Sequence, residues 1–238
     1  MWQTRGSVKS LQAARFLPLP LATLLIVVVA GCGQSDEPSS SGGDGLSAAA
    51  SGGPAAVNSP TQRDMKHPVL RIDTNMGPII VRLDAETASV TVQNFLNYVD
   101  SGFYKNTIFH YVAPDNMILG GGYSIDRELK PHREPILNEA RSGRKNLRGT
   151  IAMARDINLV DSASSQFFIN LVDAPQRDYR GDAPGDYGYC VFGEVIDGLN
   201  VAERIARAPA ADLSQMNENL SNTPNPPVVI ISMTRVDM

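Results

Sequence analysis

VLRIDTNMGPIIVRLD, residues 69–84, is the stretch that decides the fold class. Apolar residues fall largely at alternate positions in 69–74 and again in 79–84. That is the period at which a strand turns successive side chains to opposite faces. Asn75-Met76-Gly77-Pro78 lies between the two runs, so the pair reads as a β-hairpin. The period then changes. Val92, Phe95, Leu96 and Val99 fall at i, i+3, i+4 and i+7, one face of a helix. Thr87 or Ser89 is the candidate cap, and Gly102 the stop. Short apolar runs follow at 107–112, 150–154, 167–172 and 190–196. A second helical pattern lies at 199–207, with Val201 and Ile205 one turn apart, and VVIISMTRV closes the chain at 228–236. One helix interrupts the strands early and one late, with no regular βαβ alternation. This order predicts an antiparallel barrel or sandwich rather than a doubly wound sheet. Residues 67–238, about 170 in all, suit one domain.

Upstream, the texture is different. Residues 1–15 carry Arg5, Lys9 and Arg15 and no acid, and FLPLPLATLLIVVVA at 16–30 is apolar. A basic start, a short apolar run and small residues before a cut site describe a secretory signal peptide. A spanning helix wants about 20 apolar residues, and this run is shorter and contains Pro18 and Pro20. The ending Val29-Ala30-Gly31-Cys32 resembles the bacterial lipobox. That resemblance implies a signal peptide over 1–31, with the Cys32 thiol taking a diacylglycerol and becoming the mature N-terminus. The alternative is an ordinary signal peptide followed by a chance cysteine. Residues 32–66 are rich in Ser, Gly, Ala and Pro. Such a segment buries too little surface to offset its ordering entropy, so a disordered tether is expected. Its mean reach would be roughly 30 Å.

Composition narrows the classes further. The chain has 238 residues, 42% hydrophobic and 19% charged, with a net charge of −4. Without the three bases of the leader, 18 basic residues face 25 acidic ones. That offers no basic footprint for nucleic acid. Two distant cysteines, Cys32 and Cys190, exclude a disulfide framework.

Three blocks carry a family resemblance: VQNFLNYVDSGFYKNTIFH at 92–110, LNEARSGRKNLRGTIAMAR at 137–155, and SSQFFINL at 165–172 with YCVFGEVIDGLNVAERI at 189–205. In order and spacing they resemble the bacterial cyclophilin-type peptidyl-prolyl isomerases across nearly the whole domain. The resemblance implies an eight-stranded antiparallel barrel with two capping helices. It also implies a groove outside the barrel that binds proline-containing peptides. No cofactor or metal is implied.

The chemistry of such a groove is simple. Rotating a prolyl peptide bond means breaking amide resonance, over a barrier of about 18–20 kcal/mol. No covalent step is needed. The groove must hold the proline ring and align the flanking backbone. It must also favour the twisted amide, whose nitrogen becomes pyramidal and accepts a hydrogen bond. By the resemblance, Gln166 holds substrate backbone, while Phe168 and Met117 pack on the proline ring. Ala154 and Arg155 match the strand end that pairs with substrate main chain, and Tyr189 matches a wall position often held by His or Tyr. Without the resemblance, Phe168 and Met117 read as plain core and Gln166 as an exposed strand residue.

Five groove positions depart from the pattern. In FHYVAPDNMILGG, 109–121, Tyr111 stands where the family has its catalytic Arg, Asn116 where it has a pocket Phe, and Leu119 where it has a Gln. Near 174–189, Gln176 and Arg177 fall where an aromatic residue and a Leu are usual. Arg offers several fixed, charged donors; Tyr offers one neutral donor. Slow turnover is therefore expected, with Tyr111, Gln166 and Phe168 as the catalytic set and Asn116, Met117, Leu119, Ala154, Arg155 and Tyr189 contacting substrate.

Other features carry less. Gly120-Gly121-Gly122 lacks the Gly-Lys-Ser/Thr of a phosphate loop. His67, His110 and His132 show no metal-ligand spacing; His110 sits at a position that packs structurally in the family. Cys190 reads as a small core residue. The charged stretch 126–148 reads as a solvated loop. Two functions remain: a monomeric, lipid-anchored foldase of the cell envelope, facing the periplasm or exterior and acting on unfolded envelope proteins, or a binding module that keeps the barrel and holds a proline peptide without turnover.

Overall fold

The computed structural model describes residues 65–237; the expected signal peptide, Cys32 and most of the tether lie outside them. Ten strands occur: β1 (Val69–Thr74), β2 (Gly77–Leu83), β3 (Thr107–Ala113), β4 (Met117–Ser124), β5 (Thr150–Met153), β6 (Phe167–Asn170), β7 (Val191–Asp197), β8 (Ala210–Ala211), β9 (Thr223–Pro224) and β10 (Val228–Val236). Eight of them close into an antiparallel barrel in the order β1-β10-β3-β4-β6-β5-β7-β2, and β8 pairs only with β9. The expected hairpin is β1–β2, with Thr74 opposite Gly77.

The barrel interior is filled from alternate positions. Leu70 and Ile72 of β1, Ile79, Val81 and Leu83 of β2, and Phe167 and Ile169 of β6 all belong to one buried cluster. Phe95 anchors helix α1 (Ser89–Asp100) there, with ring centroids 4.9–5.4 Å from Phe192, Tyr104 and Phe167. Helix α2 (Leu199–Ala206) buries Val201, Ala202, Ile205 and Ala206 in the same cluster. Gly102 stops α1 with φ of 68°, as expected.

Two local expectations need correction. Neither Thr87 nor Ser89 caps α1. Its first-turn N–H groups at Val90 and Thr91 are taken by the Glu139 carboxylate at 3.2 and 2.8 Å. An acceptor from a distant segment thus serves the helix N-terminus in place of a local hydroxyl. The stretch 126–148 is not merely a solvated loop. Besides Glu139, it supplies Arg144, which pairs with Asp84, and Asn146, which is 1% exposed. Burial alone would raise the Asp84 pKa, but hydrogen bonds from Thr87 and Arg144 outweigh it and hold the carboxyl below its usual range. The glycines at 120–122, which lacked the marks of a phosphate loop, form the middle of a barrel strand, β4. A Cβ on Gly121 would sit 2.9 Å from the Phe167 ring, and one on Gly122 2.6 Å from the Gln166 side chain. They let bulky neighbours close against the strand.

Candidate functional site

The outer face of the barrel carries its own apolar patch. On β6, Phe167 and Ile169 point inward, so Phe168 points out. The registers run Tyr111 to Leu119, Leu119 to Phe168, Phe168 to Ala152 and Ala152 to Val191. One row of outward side chains therefore crosses five strands. Ala152, Phe168 and Val191 form a second buried cluster, against which Met117, Leu119, Ala154 and Tyr189 pack. Tyr189 meets Phe168 edge-on, with centroids 5.5 Å apart.

The polar residues stand around this patch. Gln166 lies just before β6 and passes its side chain across Gly122. Its carbonyl accepts from Ala154 N at 2.9 Å, so that N–H is already paired within the barrel. Behind it, His110 is fully buried and stacks on Tyr123 at 4.6 Å. Among the described residues, neither imidazole nitrogen has a hydrogen-bond partner of good geometry. Burial pushes its pKa down to about 4, only partly offset by the Ile108 backbone and the Gln166 amide nearby.

Two arginines flank the aromatic pair. Arg155 has its guanidinium 5.0 Å from the Tyr189 ring centroid. Its donors go to the backbone carbonyls of Gly188, Asp156, Ile157 and Pro184 at 2.7–3.1 Å. It ties the loop to the groove edge. Arg177 lies over Phe168, 5.4 Å from the centroid. It donates to Asn170 Oδ1 at 2.8 Å and to Asn116 Oδ1. Burial lowers its pKa, while the Tyr189 and Tyr111 phenols counteract this.

A buried chain fixes Arg177. Asn170 is 0% exposed; its amide nitrogen donates to Thr150 Oγ1 at 2.9 Å and Asn146 Oδ1 at 3.2 Å. Its oxygen is thereby turned to the guanidinium. Asn146 in turn donates to Arg177 O at 3.0 Å and to Asp178 Oδ1 at 3.3 Å. Sequence reasoning did not assign Asn146, Asn170 or Arg177 to the site. The one available signal was Arg177 at a position aligned with an apolar wall.

The structure thus brings together Met117, Leu119, Ala154, Phe168 and Tyr189. Gln166 stands at Gly122, and Tyr111 lies across the strand pair beside Leu119. Asn116 is joined to Arg177 instead of standing as an isolated polar wall. The result is an outward-facing apolar patch, with Phe168 itself 3% exposed, bordered by an amide, a phenol and a guanidinium.

Known proteins are similar in sequence and fold. The family model described as "Cyclophilin type peptidyl-prolyl cis-trans isomerase/CLD" matches residues 69–235. Peptidyl-prolyl cis-trans isomerase A of Dickeya dadantii is 44% identical over 161 residues, covering 68% of this chain and 80% of the relative. Peptidyl-prolyl cis-trans isomerase B of Escherichia coli is also 44% identical over 161 residues, covering 68% and 95%. A crystal structure of a Cryptosporidium parvum cyclophilin-type isomerase, in the presence of the dipeptide Ala-Pro, aligns with a TM-score of 0.58 at 26% identity. The alignment covers 71% of this chain and 99% of that one. With the family match spanning most of the sequence and the closed eight-stranded barrel to support it, the chain belongs to the cyclophilin-type peptidyl-prolyl cis-trans isomerase family.

Proposed function

We propose that this protein is a lipid-anchored prolyl isomerase of the cell envelope, acting on unfolded envelope proteins at a reduced rate. The observation that carries the enzymatic part is the outward apolar cluster around Phe168 with Gln166 at its rim. Phe168, Met117 and Leu119 offer a proline ring an apolar seat, and Gln166 offers flanking backbone an amide. The Ala-Pro dipeptide present with the Cryptosporidium parvum relative supports a proline peptide as the ligand. The envelope part rests on the basic start, the apolar run and Val-Ala-Gly-Cys ahead of residue 33.

The reduced rate follows from Tyr111. Losing a charged donor to the transition state lowers a rate by roughly 10²–10³-fold, by analogy with removed oxyanion donors. Tyr111 gives at most one neutral hydrogen bond in exchange. Wild type, Tyr111→Phe and Tyr111→Arg are compared in a protease-coupled proline-peptide assay. Slow but measurable turnover by wild type, and at least a tenfold gain in Tyr111→Arg, is expected. Wild-type turnover equal to that of the bacterial relatives rules out impairment.

The second reading, a binding module without turnover, is favoured by Tyr111 and by the Asn116–Arg177 pair in the groove. Peptide binding with no catalysed exchange in wild type would establish it. Detergent partitioning and intact mass, against Cys32→Ser, test the anchor: equal solubility and mass increments in both forms would remove it.

A further inference from the structure

We infer that Arg177 is the charged donor of this groove, acting on the prolyl amide in place of the charge that Tyr111 does not carry. The inference rests on the isomerase reading above and names a residue for its central step.

Twisting the prolyl amide breaks conjugation. The nitrogen lone pair is no longer delocalised, and a hydrogen-bond donor aimed at it, or at the neighbouring carbonyl, binds the twisted form better than the planar one. Such a donor gains strength from a fixed position and from exclusion of water. It must therefore stand at the apolar seat, hold a defined orientation and have N–H groups to spare.

Arg177 meets each condition. Its guanidinium lies over the Phe168 ring, the central apolar surface of the groove. Two of its N–H groups are held, one by Asn170 and one by Asn116. A guanidinium carries five, so three remain for substrate. No carboxylate among the described residues pairs with it, so its charge is not neutralised in place. The Asn170 oxygen is itself oriented, because the amide nitrogen of that fully buried residue is taken by Asn146 and Thr150. The direction of the guanidinium is thus set from inside the protein.

The competing groups fail one condition or another. Arg155 has its Nε and both terminal nitrogens committed to four backbone carbonyls. Tyr111 is neutral, and its register partner Leu119 separates it from Phe168. The charge that Tyr111 does not supply is present on Arg177, held over Phe168 by Asn170 and Asn116.

The test is a double-mutant cycle in the full-length protein: wild type, Arg177→Leu, Tyr111→Arg and the double variant, with Arg177→Lys as a milder change. Catalysed exchange is read by NMR line-shape analysis of a Xaa-Pro peptide, affinity by titration, and integrity by thermal melting. Arg177→Leu is expected to lose roughly 10²-fold in exchange rate with affinity changed less than about threefold. Arg177→Lys keeps a charge without the planar fork and should fall between the two. In the Tyr111→Arg background the same Leu substitution should cost far less, because a second guanidinium takes over. A purely structural role would give equal losses in both backgrounds and would overturn the inference. Exchange that rises in Arg177→Leu would also overturn it, marking the side chain as an obstruction over Phe168. If Arg177→Leu fails to melt cooperatively, the Lys variant decides: full wild-type exchange in it refutes a requirement for the guanidinium. Wild type that turns over while Arg177→Leu matches it leaves the isomerase reading standing and removes only the donor. Wild type that binds peptide without turnover removes both.

Discussion

Replacing Gly122 by Ala should switch off the groove amide while leaving the barrel folded. A Cβ at this position would lie 2.6 Å from both Cγ and Cδ of Gln166 and 2.9 Å from its Nε2. Ordinary carbon contacts begin near ~3.5 Å, so the Gln166 side chain must withdraw by about 1 Å. The atoms it meets belong to a flexible, half-buried side chain, so a rotamer change relieves the clash and the backbone need not move. Overpacking of this kind costs about 1–3 kcal/mol, and the loss of a strand glycine returns roughly 0.5–1 kcal/mol of that. The melting temperature should therefore fall by no more than about 10 °C. Function should suffer more. Each neutral hydrogen bond from the amide to substrate backbone is worth about 0.5–1.5 kcal/mol; losing two lowers kcat/KM by roughly 5–150-fold. Gln166→Ala should give the same loss, and the double variant should be no worse than either single change, since both remove one interaction. Full activity in Gly122→Ala beside an impaired Gln166→Ala would refute the reasoning. So would a melting drop above about 12 °C, which would mean that the strand itself had been forced apart.

Three further outcomes follow from the buried polar groups. His110 is neutral in the fold, with its pKa down at about 4 from 6.5, so between those values the unfolded chain binds the extra proton. Stability should therefore fall as pH drops from 6.5 to 4, by about 3 kcal/mol in total. Denaturant titrations across that window should flatten in His110→Phe, and an equal slope in both proteins would exclude this residue as the cause. Asn146→Leu removes a buried side chain that holds Asn170, Asp178 and the Arg177 carbonyl. It should destabilise by roughly 2–4 kcal/mol in urea unfolding; a change below 1 kcal/mol would show that the network relaxes freely. Burial pushes the Cys190 thiol up to about 11, only partly offset by the Thr91 hydroxyl. In a Cys32→Ser background it should resist iodoacetamide at pH 8 until the domain is unfolded, and prompt native labelling would contradict its burial.

Strand β4 shows where sequence pattern fails. Seven of the eight barrel strands coincide with apolar runs read directly from the sequence, but Met117–Ser124 does not, because three of its eight residues are glycines. Glycine at those positions reflects what the neighbours need: Phe109, Phe167 and Gln166 occupy the space a Cβ would take. Periodicity reports a strand's own side chains and is blind to that. The N-terminus of α1 failed for a related reason, since its acceptor, Glu139, lies 48 positions away from Thr91. On the outer face, the family pattern pointed to Gln166, Phe168 and Met117 because these residues keep their types, and the structure packs Met117 against the cluster of Phe168. The union of Asn116 with Arg177 joins positions 61 apart. Read singly, each looked like a lost apolar wall; only the fold shows that the two substitutions meet.

The pairing of the first strand with the last has a consequence for how the molecule is made. β10 comes after every other strand among the described residues, yet it lies between β1 and β3, and Asp73 faces Ser232, 159 positions away. Until those last residues leave the ribosome, β1 and β3 each present an unsatisfied edge toward the missing strand. The ring cannot close piecemeal from its beginning, and contacts of such long range are slow to form. A nascent chain therefore waits in an open state for its final nine-residue strand.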